Sequence, residues 1–235
     1  MKKPKWVMES LESYNLMNKI SITPLFAKMV YFSILEDLDL TKINKLVKKI
    51  GFTKAGEKND RDVANIVNMS LDTHILNNKS FKFLKKIIEK EFNTYKNNVL
   101  QYHNTDFKIT TSWIVKSEPD QASNYHNHSN CMYSGILYLT TPTNCGGISF
   151  LNYFDKETIK IIPTQYNLHN STEFTFNPTA KTICFFPADI HHKILPNHSK
   201  EARLSLAFNL FPSGQLGRNG SDSFVNVKVG EYEKA

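Results

Sequence analysis

Three histidines carry the most legible chemistry in this sequence: His126 and His128 within SNYHNHSN, and His192 within FFPADIHHKILPN. On an extended strand, residues two apart project to the same side, so His126 and His128 would face one way with Asn127 opposite. Two imidazoles on one face make a ligand pair for a borderline metal. The same pair on a surface loop would be inert, so the distal segment has to decide. In ICFFPADIHHKIL, alternation puts Ile190, His192 and Ile194 on one face and Asp189, His191 and Lys193 on the other. The second face suits solvent. The first is apolar with one histidine at its centre, which selects His192 over His191 as the residue able to converge with the pair.

A second constellation begins eleven residues after His192. In RLSLAFNLF, Leu204, Leu206, Phe208 and Leu210 form one face, and Arg203, Ser205, Ala207 and Asn209 form the other. If the polar side turns toward water, this is an ordinary half-buried strand. If it turns inward, Arg203 and Ser205 make an anion site, since a guanidinium forks onto a carboxylate and a hydroxyl adds a further bond. Alternation alone leaves both orientations open.

These residues need elements to hold them. From about residue 107 onward the chain breaks into short β-rich runs: FKITTSWIV, SGILYLTT, GGISFLN, TEFTFNP, KTICFFP, RLSLAFNLF and SFVNVKV. Turn material such as PTNCGG and PNHSKEA separates them. Many short strands at even spacing indicate a sandwich or a closed barrel. The earlier part is mixed, with helices leading. Residues 41–50 set Ile43, Leu46, Val47 and Ile50 on one stripe, with Gly51 as a C-terminal stop. Residues 81–100 set Phe81, Leu84, Ile88, Phe92, Tyr95 and Val99 at helical spacing, with Ser80 as N-cap. Such stripes belong to a core. The expected organisation is one domain over residues 1–235, with 1–106 a mostly helical support and 107–235 the barrel. The segments 115–125 and 152–171 are the candidate lids, because barrel functions sit on loops.

Composition excludes several classes. The 235 residues are 40% hydrophobic and 12% aromatic, enough for a core without staples. No apolar run approaches the length of a membrane span, and MKKPKW leads into ESLESYN without the apolar segment of a signal peptide. Cys131, Cys145 and Cys184 have no paired spacing, which fits free thiols in a reducing cytoplasm. The net charge of +7 raises a nucleic-acid partner. The lysines, however, spread thinly along the polar faces of the two helices (Lys45, Lys48, Lys49; Lys82, Lys85, Lys86, Lys90), which favours a solvated surface.

The order of HxH, SGILYLTTP, GGISF, FFPADIHHKILPN and RLSLAFNLFPSG resembles the Fe(II)- and 2-oxoglutarate-dependent dioxygenases. The likeness is to their prolyl-hydroxylase-like branch, and within it to oxygenases common in marine bacteria and their phages. It covers roughly residues 107–215, plus a PLF segment at Pro24, Leu25 and Phe26. The resemblance implies an α+β chain built on a double-stranded β-helix, a cupin-like jelly-roll barrel, with supporting N-terminal helices. It implies His126 as the first iron ligand and His192 as the distal one. Arg203, assisted by Ser205, would grip the far carboxylate of 2-oxoglutarate, and Tyr138 would be a further contact to that cosubstrate. The activity implied is hydroxylation, with Fe(II), 2-oxoglutarate and O2 as the cofactor set. The substrate would be a prolyl or other protein side chain, or a small molecule. The setting would be the cytoplasm, or the host's for a viral protein.

One position departs from the family pattern. His128 stands where most relatives carry Asp or Glu. It is either a third neutral ligand or a group behind the ligands, with water or another residue in the third place. Two rival readings remain. A three-histidine cupin dioxygenase would share the metal set and have no use for Arg203, Ser205 or 2-oxoglutarate. A non-catalytic jelly roll would leave the histidines incidental.

Overall fold

A computed structural model describes residues 27–53, 67–152 and 161–230. The Pro24–Leu25–Phe26 segment lies outside these residues, as does the 153–160 part of one candidate lid. The described chain forms ten strands and two α-helices. In order these are β1 (Tyr31–Ile34), α1 (Leu40–Val47), β2 (Asn68–Met69), α2 (Lys82–Tyr95), β3 (Thr105–Ser117), β4 (Tyr133–Thr140), β5 (Ile148–Leu151), β6 (Glu173–Phe176), β7 (Thr182–Pro187), β8 (His191–Ile194), β9 (Arg203–Leu216) and β10 (Val225–Val227). The large sheet runs β1-β7-β4-β9-β3-β2, with β10 added to β9, and the small sheet runs β6-β5-β8. All pairings between these strands are antiparallel. Two facing antiparallel sheets with this interleaved strand order are the double-stranded β-helix that the motif order implied.

Each face of the large sheet has its own core. On β4, Tyr133, Leu137 and Leu139 point outward into a cluster with Leu84, Ile88, Phe92 and Tyr95 of α2. Burying each of those side chains contributes about 1.5–3 kcal/mol. Ile136 and Tyr138 point the other way, between the sheets, and meet Ile148, Phe150, Cys184, Phe186 and Ile190. On the outer face of β4, Gly135 makes room for Phe208, because a Cβ there would lie 2.4 Å from Phe208 Cε2 and 2.9 Å from the Cys184 carbonyl oxygen. The helices therefore brace the outer face, and the inner face is left to line the barrel.

The helix boundaries differ from the sequence reading. α1 ends at Val47, and Lys48, Lys49 and Ile50 close it through backbone bonds to Asn44, Leu46 and Val47. Gly51 is not a left-handed stop; it lets the chain pass Leu71, whose Cδ1 would be 3.0 Å from a Cβ at that position. Ser80 is not the cap of α2. A 3₁₀ turn at Lys79–Phe81 leads into the helix, and Asn78 Oδ1 caps that turn by accepting from the Ser80 amide at 3.0 Å. The first orphan amides are thus used one turn earlier than the sequence pattern placed them. Past Tyr95 the winding loosens to a π turn over Lys96–Leu100. This rotates the apolar stripe out of register and leaves Val99 46% exposed. The same turn carries Lys96 inward, where its Nζ donates to the Thr105 carbonyl at 3.1 Å.

Candidate metal centre

His192 lies on β8, paired with Phe150 of β5, and is 2% exposed. His126 and His128 are not on a named strand. They occupy an extended segment stitched to the β8 region by single bonds. The His126 amide donates to the His192 carbonyl at 3.0 Å, the return bond is 2.8 Å, and the His128 amide donates to the Ala188 carbonyl at 3.0 Å. The two-residue spacing still works as on a strand: Asn127 is exposed and the two imidazoles face the same way. Ring centroids are 4.5 Å apart for His126 and His192, 5.1 Å for His128 and His192, and 5.5 Å for His126 and His128. One ring nitrogen from each lies within 4.8 Å of the others.

The other ring nitrogen of each imidazole is occupied. Nδ1 of His126 sits 2.9 Å from the Asn124 carbonyl, and Nδ1 of His192 sits 3.0 Å from the Ile190 carbonyl. A carbonyl can only accept, so each Nδ1 carries the proton and each Nε2 keeps its lone pair. His128 Nδ1 lies 2.7 Å from Asn209 Oδ1 and 2.8 Å from Ser134 Oγ. Phe186 packs edge-on against His192 at 4.7 Å, and Trp113 lies 5.7 Å from His128, so the histidines sit in an aromatic wall. Burial, with the neighbouring imidazoles, lowers His192 well below its ordinary pKa. Burial likewise pushes His128 down to about 4. Both rings are therefore neutral at physiological pH, the protonation state that a metal ligand needs. Three imidazole nitrogens with no carboxylate among them fit a divalent borderline ion such as Fe(II).

The orientation of β9 that the sequence left open is inward for its polar face. Arg203 is 2% exposed and Ser205 5%. Ser205 pairs across the sheet with Tyr138, which is buried between the sheets. Burial raises the Tyr138 phenol and lowers the Arg203 guanidinium, and the neighbourhood of the two partly offsets each shift. Arg203 Nη1 donates to the Cys145 carbonyl at 2.9 Å and approaches the Gly147 carbonyl at 3.5 Å. Among the described residues, no carboxylate forms an ion pair with it. A buried guanidinium without an anion among the described residues is costly. The turn that holds it requires glycine, since a Cβ on Gly147 would lie 2.0 Å from the Phe176 carbonyl oxygen.

His191 points away from this centre, paired with Leu151 on the opposite face of β8. The 115–125 segment is not free to act as a lid. Its first three residues belong to β3, and backbone bonds tie Asp120 and Gln121 to Asn197 and Ser123 to Ile194. The sequence reading missed Ser134, Asn209, Trp113 and Phe186. Asn209 was already on the polar face of β9, so the same alternation that found Arg203 pointed to it. A broad cleft of about 1000 Å³ between α2 and β3, lined by Lys82, Lys85, Lys108 and Lys228 among others, touches none of the site residues.

The fold and the site define a jelly-roll barrel with a histidine centre and a buried cationic subsite. Residues 111–209 match the family described as "Putative 2OG-Fe(II) oxygenase". That span holds all three histidines, Tyr138, Arg203 and Ser205, and it is a 2OG-Fe(II) oxygenase domain. The protein is accordingly an enzyme of the 2-oxoglutarate-dependent oxygenase class, with Fe(II), 2-oxoglutarate and O2 as its cofactor set. Solved structures share the fold at low identity. The epimerase SnoN in complex with Fe3+, alpha-ketoglutarate and nogalamycin RO aligns with a TM-score of 0.58, at 10% identity over 97% of each chain. A 2OG-Fe(II) oxygenase family oxidoreductase from Burkholderia pseudomallei aligns at 0.54, with 12% identity over 77% of this chain and 84% of its own. A Pseudomonas putida prolyl-4-hydroxylase aligns at 0.51, with 15% identity over 79% and 94%. No curated protein matches the sequence. None of the described helices is long and apolar enough to cross a membrane.

Proposed function

We propose that the protein is a hydroxylase that holds Fe(II) through Nε2 of His126, His128 and His192 and anchors 2-oxoglutarate through Arg203. Ser205 and Tyr138 complete the cosubstrate subsite, and the substrate is a prolyl or other protein side chain. The observation that carries this reading is Arg203: a buried cation without a carboxylate partner among the described residues, on the barrel-lining face of β9. That arrangement has a physical rationale when an anionic ligand enters, and the far carboxylate of 2-oxoglutarate is such an anion. A three-histidine dioxygenase without the cosubstrate would leave this charge without a function.

When bound, iron, 2-oxoglutarate and O2 supply the oxidising power for C–H hydroxylation, with succinate and carbon dioxide as coproducts. The chain's own residues orient and exclude. The carbonyls of Asn124 and Ile190 fix the tautomers of His126 and His192, so neither ring has to reorganise to bind. Arg203, steadied by the Cys145 carbonyl, sets the reach of the cosubstrate. Phe150, Phe186 and Ile136 keep bulk water from the space between the sheets. The connection leaving β5 at Leu151 starts beside His191, at the histidine end of the small sheet. Its described part exposes Ile161, Ile162, Tyr166 and Leu168, an apolar surface suited to a peptide.

The test is succinate formation from 2-oxoglutarate under air, with and without candidate proline-bearing peptides. The wild type releases succinate only with Fe(II), and His192→Ala and Arg203→Met abolish it. Iron-dependent O2 consumption without succinate would favour the cosubstrate-independent rival.

A further inference from the structure

His128 is held differently from its two companions, and the difference lies in the register of the large sheet. Asn209 of β9 pairs with Thr111 of β3 on one side and Ser134 of β4 on the other. These three polar side chains therefore form one row across adjacent strands on the barrel-lining face. Asn209 Nδ2 donates to Thr111 Oγ1 at 2.9 Å, which turns Oδ1 toward β4. Ser134 Oγ donates to that Oδ1 at 2.9 Å. The same Oδ1 receives His128 Nδ1 at 2.7 Å, with Ser134 Oγ at 2.8 Å. Ser134 is fully buried and Asn209 half-buried, which limits the access of water to these bonds.

With the Asn209 amide oxygen facing His128, the proton count fixes the tautomer. The serine has one hydroxyl proton, and it goes to Asn209 Oδ1. An unprotonated Nδ1 would then face an amide oxygen at 2.7 Å, acceptor against acceptor. Nδ1 must carry the proton, and Nε2 is left with its lone pair toward His126 and His192. A backbone carbonyl two residues earlier does this for the other two histidines; for His128 a side-chain network does it.

We infer that Asn209, hydrogen-bonded to Thr111 and Ser134, is the positioning residue that makes neutral His128 serviceable as a third ligand. The inference rests on the reading of the three histidines as the metal set. The amide accepts without carrying charge, so His128 stays a neutral donor, and Arg203 is left as the charged group that meets the cosubstrate. The opposite amide orientation would place Nδ2 against His128 Nδ1 and force the proton onto Nε2, closing that ligand position.

The probe is Co(II), titrated against a competing chelator with the full-length protein. Wild type binds, and His128→Ala binds weaker. Asn209→Leu, similar in volume and unable to accept, loses about 10–100-fold in Co(II) affinity, the usual range for removing such a partner. Asn209→Asp can only accept, so it binds at least as tightly as wild type, and it also serves if the leucine variant folds poorly. In the His128→Ala background, Asn209→Leu adds no further loss. Proton NMR of the Co(II) protein shows a solvent-exchangeable, hyperfine-shifted Nδ1–H for each of the three rings, and Asn209→Leu removes or broadens the His128 signal alone. A merely structural role would lower the melting temperature and leave both readouts in place. The proposal is overturned if Asn209→Leu binds Co(II) like wild type, or if Asn209→Asp loosens binding as leucine does. Absence of Co(II) binding by the wild type, or wild-type affinity in His128→Ala, would overturn it together with the ligand set. A normal His128→Ala loss with an inert Asn209→Leu would overturn this inference alone.

Discussion

Replacing Arg203 separates the cosubstrate subsite from the metal centre. Its guanidinium has five N–H donors, of which Nη1 is engaged by the Cys145 and Gly147 carbonyls. The free edge can fork onto a carboxylate with two charge-assisted hydrogen bonds, each worth about 1.5–3 kcal/mol when buried. Arg203→Lys keeps the charge and forfeits the fork, so it should lose one such bond, or about 10–100-fold in 2-oxoglutarate affinity. Arg203→Met loses both, about 3–6 kcal/mol, or on the order of 10²–10⁴-fold. The assay is anaerobic calorimetric titration of 2-oxoglutarate into the Fe(II) protein, with iron affinity measured in parallel. Iron affinity should not change, because Arg203 is not among the ligands. The ligand-free Arg203→Met protein should melt no lower than wild type, since it exchanges a buried cation without an anion for an apolar side chain. Wild-type 2-oxoglutarate affinity in both variants would mean that Arg203 does not hold the cosubstrate. A lysine variant as impaired as the methionine one would mean that the planar fork does not matter.

Other predictions concern the scaffold and the histidines. His192→Ala should abolish iron binding while His191→Ala leaves it within a few-fold, checked by equilibrium dialysis, because β8 turns the two rings to opposite faces. Gly135→Ala should destabilise the protein by about 1–3 kcal/mol in urea unfolding, since its methyl would overlap Phe208 and the Cys184 carbonyl. Phe92→Ala should cost about 3–5 kcal/mol, as the ring is buried between α2 and the outer face of the large sheet. In the metal-free protein, His128 and His192 titrate below the 6.5 of the unfolded chain, so between the two values the unfolded state binds more protons. Stability should therefore be full above about pH 6.5 and fall as the pH drops toward 4; a melting temperature flat across that window would contradict it.

Much of this site was legible in the sequence because strands encode side-chain direction in a period of two. That period separated His192 from His191 and grouped Arg203, Ser205 and Asn209 on one face. It could not say which face was inward, because β9 is buried on both: the leucine face meets α2 and the polar face lines the barrel. The role of Asn209 was hidden for a related reason. It depends on cross-strand register with Thr111 and Ser134, residues separated from it by 98 and 75 positions, and register is set by tertiary pairing. Helix ends were misplaced where local hydrogen bonding chose a 3₁₀ turn before α2 and a π turn after it, choices that apolar spacing does not report.

In the proposed enzyme, three histidines hold the metal and Arg203 holds its cosubstrate within one barrel. A crystal structure of the protein grown anaerobically with Fe(II) and 2-oxoglutarate tests both halves at once. The expected result is the metal on Nε2 of His126, His128 and His192, and the far carboxylate of 2-oxoglutarate forked by Arg203. Iron bound without His128, or a cosubstrate that leaves Arg203 on the Cys145 carbonyl alone, would contradict it.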